Sequence, residues 1–135
     1  MLKINTMSYY FSNILTHDFP TAVDLVITAL KENGFGIITR IDMKETFEQK
    51  IGKTIRPYLI LGACNPTYAY EALQKENKVG TMLPCNVIVQ ELEDGRIEVA
   101  AVDPVSSMSA IQNMELLSLA REVAIKLKEA VEGLR

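Results

Sequence analysis

The sequence predicts an α+β domain, a sheet with helices packed on one face, and three observations carry that expectation. Short apolar runs alternate with stretches of helical period along most of the chain. Two β-rich runs flank Asp94-Gly95, a hairpin signal that excludes a wholly parallel, doubly wound sheet. The chain then closes on a long amphipathic segment, whose Leu116, Leu117, Ala120, Val123, Ala124, Leu127, Val131 and Leu134 form one apolar stripe, a natural lid over the covered face.

Taken in order, Met7 to Leu15 reads as a strand, with Ser8 and Ser12 marking its solvent side. Asp18 caps a helix whose Phe19, Val23, Val26, Ile27 and Leu30 share one face, and Gly34 stops it. Phe35 to Ile41 is a mostly apolar strand. Asp42 and Glu45 then open a short helix in the manner of a capping box, with Met43, Phe47 and Ile51 on its inner side. Pro57 to Cys64, with the run Tyr58-Leu59-Ile60-Leu61, reads as a central strand buried on both sides.

Asn65-Pro66 supplies the preferred N-cap and first helical residue, so a helix should run to Asn77, with Glu71 and Lys75 as an outward ion pair. Pro84 stands at the entry of the strand Cys85 to Leu92. A two-residue type I′ turn at Asp94-Gly95 leads into the strand Arg96 to Val102 and would set Glu91 directly opposite Glu98, an unfavourable like-charge pair. Asp103-Pro104 breaks that strand, Ser106 to Ile111 forms a helical turn, and Gln112-Asn113 leads into the last helix, where Glu122 and Lys126 pair.

A chain of 135 residues suffices for one domain with one core. The net charge of −3 removes the dense basic face that nucleic-acid binding needs, and the most basic stretch, Arg40 to Arg56, is diluted by Asp42, Glu45 and Glu48. No apolar segment approaches the length of a membrane span and Met1 to Leu15 lacks the form of a leader, so the expectation is a cytoplasmic protein that does not engage membranes. In a reducing compartment its two cysteines should be thiols.

Three elements, Leu61-Gly62-Ala63-Cys64-Asn65-Pro66, Leu83-Pro84-Cys85-Asn86-Val87 and Val102-Asp103-Pro104, together resemble the pattern of the domain of unknown function 302 family across nearly the whole chain. The resemblance implies a TATA-box-binding-protein-like fold, with a curved antiparallel sheet and a long C-terminal helix, commonly as a homodimer. It implies no DNA binding, because similarity of fold carries no function by itself.

Chemistry is expected around Cys64, Asn65 and Cys85, with Asp103 as a further candidate. Cys64 precedes the N-cap Asn65, where free N–H groups and the helix dipole favour a thiolate and an anion. Cys85 opens a strand that, lying antiparallel beside the one ending at Cys64, would bring the two sulfurs close enough for a reversible disulfide. Two cysteines and the single His17 do not make a zinc set, and His17 fits an exposed turn, so no metal and no cofactor is expected. Glu91 with Glu98 could act as acid and base, although a hairpin tip is solvated. Three readings follow: a homodimeric module binding a small, anionic ligand near Cys64, Asn65 and Cys85; a redox or sulfur-handling protein using both thiols; and a structural dimer with inert cysteines. The first implies a protein that is not an enzyme.

Overall fold

Strands β1 (Tyr10–Leu15), β2 (Gly36–Asp42), β3 (Tyr58–Cys64), β4 (Cys85–Glu91) and β5 (Ile97–Val102) form one antiparallel sheet, ordered β1-β5-β4-β3-β2, in the computed structural model, which describes residues 8–135. Met7, placed by the sequence at the start of the first strand, lies outside the described residues. The helices are α1 (Phe19–Glu32), α2 (Met43–Ile51), α3 (Pro66–Lys75), α4 (Pro104–Met108) and α5 (Met114–Glu132), with a 3₁₀ turn at Val79–Met82. The α+β class with its long last helix is as the sequence predicts.

Every α-helix begins on a side-chain cap. Asp18 accepts from Thr21 N, Asp42 from Glu45 N, Asn65 from Tyr68 N, Asp103 from Val105 N and Asn113 from Leu116 N, each occupying a donor that helix geometry leaves free. Asp103-Pro104 is therefore a helix start of the same kind as Asn65-Pro66, and the helical turn expected at Ser106 begins two positions earlier. Helix α2 is the weakest element: Met43 and Phe47 are half-buried, but Ile51 is 62% exposed and not on an inner face. Lys75 does not close on Glu71; its Nζ reaches Glu115 of α5 at 3.1 Å, and among the described residues Glu122 and Lys126 form no bridge. Such exposed pairs are worth too little to hold one partner against another.

The hairpin differs from its expected form by one residue. Leu92 N donates to Arg96 O at 2.8 Å and Gly95 N to Leu92 O at 2.9 Å, so the loop is Glu93-Asp94-Gly95. Gly95 has φ +86° and among the described residues no other residue type has positive φ, which excludes the type I′ turn, whose two central residues both need it. The extra residue slides the register: Gln90 faces Glu98, and Glu91 faces Ile97. Gln90 Nε2 donates to Glu98 Oε1 at 2.7 Å, so the acid–base pair suggested by the sequence does not form.

Alternation in the strands divides the sheet. Cys85, Val87 and Val89 of β4, with Ile97, Val99 and Ala101 of β5, are buried beneath α1 and the second half of α5, together with Leu59, Leu61 and Ala63 of β3. Tyr58 and Ile60, on the opposite side of β3, are only half-buried, so this strand is covered on one side rather than on both. A second cluster, separate from the sheet core, joins Ala72 and Val79 to Met108, Leu116, Leu119 and Ala120. The stripe of α5 consequently includes Leu119 and Ala130, which its sequence period did not single out.

Gly62 fastens the sheet near the end of β3. It pairs with Thr39, just past a bulge in β2, and with Asn86. A Cβ at this position would overlap Thr39 Oγ1 and come within 2.7 Å of Pro84 Cγ. Gly62→Ala should therefore cost about 1–3 kcal/mol in a denaturant titration. Adding Thr39→Ala to it should restore part of that loss; a neutral single substitution would show that Thr39 and Pro84 give way freely.

Candidate functional site

A cavity of about 280 Å³ lies where the two clusters meet. Phe35, Ala63 and Cys85 contribute the sheet side, Ala69 and Ala72 the α3 side, and Leu116, Leu119, Ala120 and Val123 the underside of α5, with Met108 of α4 closing one end. Ile38, Cys64, Asn65, Tyr68 and Ala69 are exposed or half-buried, and they mark the side on which the cavity opens. Small residues create the space: Ala69 and Ala72 stand one turn apart on α3, and Ala120 lies on α5, at positions where larger apolar side chains would fill it.

The structure brings together three of the four residues singled out from the sequence. Strands β3 and β4 are antiparallel neighbours, with Ala63 opposite Cys85, so Cys64 and Cys85 stand one residue out of register and both line the cavity. Asn65 joins them, its Oδ1 accepting from Tyr68 N at 3.3 Å. Asp103 does not take part. Its carboxylate caps α4 through Val105 N at 3.0 Å, and only the adjoining Pro104 reaches the cavity wall.

The two thiols are free and differ in their surroundings. Cys85 is only 7% exposed, and burial, with a smaller contribution from the nearby Cys64, pushes its thiol up to about 11. It therefore remains a neutral SH at physiological pH. Cys64 is half-buried at the open side. His17 is remote from both, its Nε2 lying 2.9 Å from Arg135 O. Among the described residues no three His, Cys, Asp or Glu side chains converge in a way that could hold a metal ion.

Sequence reasoning reached the strand ends that carry the cysteines and missed most of the wall. The closeness of Ala69 and Ala72, one turn apart on a helix otherwise rich in larger residues, was the available signal. Met108 and Leu119 had none, because their role arises only where α4 and the first half of α5 pack together in the second cluster, and Val123 was legible only as part of the α5 stripe.

Residues 11–134 match the family described as Domain of unknown function DUF302. Among solved structures the chain is similar to one titled as the crystal structure of an uncharacterized conserved protein DUF302 from Bacillus stearothermophilus. The TM-score is 0.88 at 22% identity, over 96% of this chain and 100% of that one. At that identity the likeness shows the fold alone. No curated protein matches the chain. Among the described residues no helix is long and apolar enough to cross a membrane.

The cysteines should separate in a thiol assay. In native protein at neutral pH a maleimide should label Cys64 and leave Cys85 untouched until denaturant is added; equal labelling of both would contradict the burial of Cys85. Because the Cys85 proton is held more tightly in the folded chain than at the ordinary value of 9.0, folding stability contributed by this group is complete below about pH 9 and is lost as pH rises towards 11. Denaturant titrations across that window should lose on the order of 2 kcal/mol more for the native sequence than for Cys85→Ala.

Proposed function

The chain belongs to the DUF302 family, whose description assigns no activity, and from that premise we propose that it is a homodimeric module that binds a small apolar ligand beneath the first half of α5. The cavity beside Cys64, Asn65 and Cys85 carries this reading. Its side chains offer two thiols, one thioether, one amide and one phenol among carbon. A wall of that kind would not repay the desolvation of a charge, which favours an apolar ligand over the anionic one suggested by the helix start. Asn65 already uses its oxygen as a cap, leaving its amide N–H groups to orient a polar end of the ligand.

The thiol-redox reading draws less support. Cys64 and Cys85 are one residue out of register across β3 and β4, and neighbouring positions along a strand favour opposite faces. The high value of Cys85 also makes it a poor resolving thiolate.

The second copy is assigned to the sheet face away from α1 and α5. Tyr10 and Ile14 at 40% and 37% exposure, together with Ile60, Ile88, Ala100 and Val102, give that face an apolar centre. Its charges balance: Arg56 Nε donates to Gln90 Oε1 at 2.7 Å, and Gln90 in turn holds Glu98. In a chain of net charge −3, a neutral face is where two copies can meet without repulsion.

Two measurements test the reading. Addition of a solvatochromic apolar dye to native protein should give saturable one-to-one fluorescence enhancement, which Ala69→Phe, filling the open side, should weaken at least tenfold while the fold survives; undiminished binding by that variant would place the ligand elsewhere. In sedimentation velocity the native protein should run as a dimer and Ile88→Glu as a monomer that still binds the dye; a monomeric native protein would overturn the assignment of the sheet face.

A further inference from the structure

We infer that the sheet face away from α1 and α5 carries a second ligand site, for an α-amino acid with an aromatic side chain, held as a zwitterion between Arg56 and Glu98. A cavity of about 380 Å³ is set into that face, across β4 and β5 and between Tyr10 and Tyr58. Unlike the space beneath α5, it is lined by a carboxylate, that of Glu98, and by two carboxamides, those of Asn86 and Gln90. The site is independent of the apolar ligand proposed above, and it rests on the assignment of the second copy to this face only for its shielding from water.

A cation and an anion stand close together here without pairing. Arg56 Nε donates to Gln90 Oε1 at 2.7 Å, and Gln90 Nε2 donates to Glu98 Oε1 at 2.7 Å, so one neutral amide separates the two charges. Among the described residues no ion pair joins them, and neither the terminal nitrogens of Arg56 nor Glu98 Oε2 has a further hydrogen-bond partner. The guanidinium also lies 5.4 Å from the centroid of the Tyr58 ring, so an exposed side chain is held from two directions. With the oxygen and nitrogen of an amide about 2.3 Å apart, Arg56 Nε and Glu98 Oε1 are separated by at most about 8 Å. An α-amino acid hydrogen-bonded at both ends, at about 2.8 Å each, has that reach: its carboxylate takes the free guanidinium N–H groups and its ammonium the free oxygen of Glu98. A ligand with only one of these charges would leave the other partner unmatched, whereas a zwitterion keeps the face neutral.

The remainder of the hollow selects the side chain. Pairing across the sheet sets Ile88 opposite Ala100 and Tyr10 opposite Val102. Ala100 is the small residue among them and leaves the floor open. At the rim the rings of Tyr9 and Tyr10 meet edge to face, with centroids 5.0 Å apart and planes at 73°, an arrangement that a third ring can extend. An aromatic side chain directed away from Glu98 covers Ile88 and Val102 and meets Tyr10.

Isothermal titration calorimetry of the native protein at neutral pH with L-phenylalanine, phenethylamine and 3-phenylpropionate tests this, because each of the last two lacks one charge. L-Phenylalanine should bind saturably and at least about tenfold more tightly than either, the worth of one charge-assisted hydrogen bond. Glu98→Gln should remove its advantage over 3-phenylpropionate, and Arg56→Gln its advantage over phenethylamine, while both variants still bind the apolar dye. Equal affinity for the three compounds, an undiminished preference in both variants, or no binding by the native protein would overturn the inference. Ala69→Phe, which weakens the dye, should leave L-phenylalanine binding unchanged. A monomeric native protein that binds L-phenylalanine with this preference would remove the second copy from the face and leave the site standing; a dimer that does not bind it would remove the site and leave the dimer.

Discussion

The length of α5 relative to the depth of the sheet is the constraint on which the structure depends. Its 19 residues extend about 28 Å, whereas strands of six or seven residues span roughly 20–23 Å. The helix therefore outruns the strands, and its two ends pack in different clusters, the C-terminal end on the sheet. Leu127, Ala130 and Val131 lie there, in the main core. Leu116, Leu119 and Ala120 overhang it and must find other partners, which α3, the 3₁₀ turn and α4 supply in a second cluster. The cavity is the space left between a helix held at one end by strands and at the other by short helices.

That origin explains the site's chemical character. Both cores are apolar, so their junction is apolar, and polar groups enter only where β3 hands over to α3. There the Asn65 cap turns the chain immediately after Cys64, leaving this thiol on the rim, while Cys85, opposite Ala63, is carried inside. One strand register thus separates an accessible sulfur from a sealed one. Gly62 secures the same corner, since only the absence of a Cβ lets Thr39 and Pro84 close over β3.

Much of this could be read from the sequence because helix starts are local. Asp18, Asp42, Asn65 and Asn113 act within three residues of themselves, and all four cap as their positions suggest. Asp103-Pro104 carries the same signal beside that of a strand breaker, and because the cap consumes its carboxylate, Asp103 is not free to serve as a site group. The hairpin was legible and its register was not, because Asp94-Gly95 fits both a two-residue loop and the three-residue loop that formed, and a change of one residue exchanges Glu91 for Gln90 opposite Glu98. The strand ends that bring the cysteines to one site followed from topology. The cavity did not, because it depends on the overhang of α5, a property of assembled elements rather than of any one segment.

The most direct measurement is a methyl NMR titration of the native protein with a short-chain alkyl alcohol. A cavity that accepts hydrocarbon should confine the largest shifts, and cross-peaks to the alkyl protons, to the methyl groups of Met108, Leu116, Leu119 and Val123. Shifts centred instead on Ile60 and Ile88 of the opposite sheet face, or no saturable shift at all, would contradict the assignment of the space beneath α5 as a ligand site.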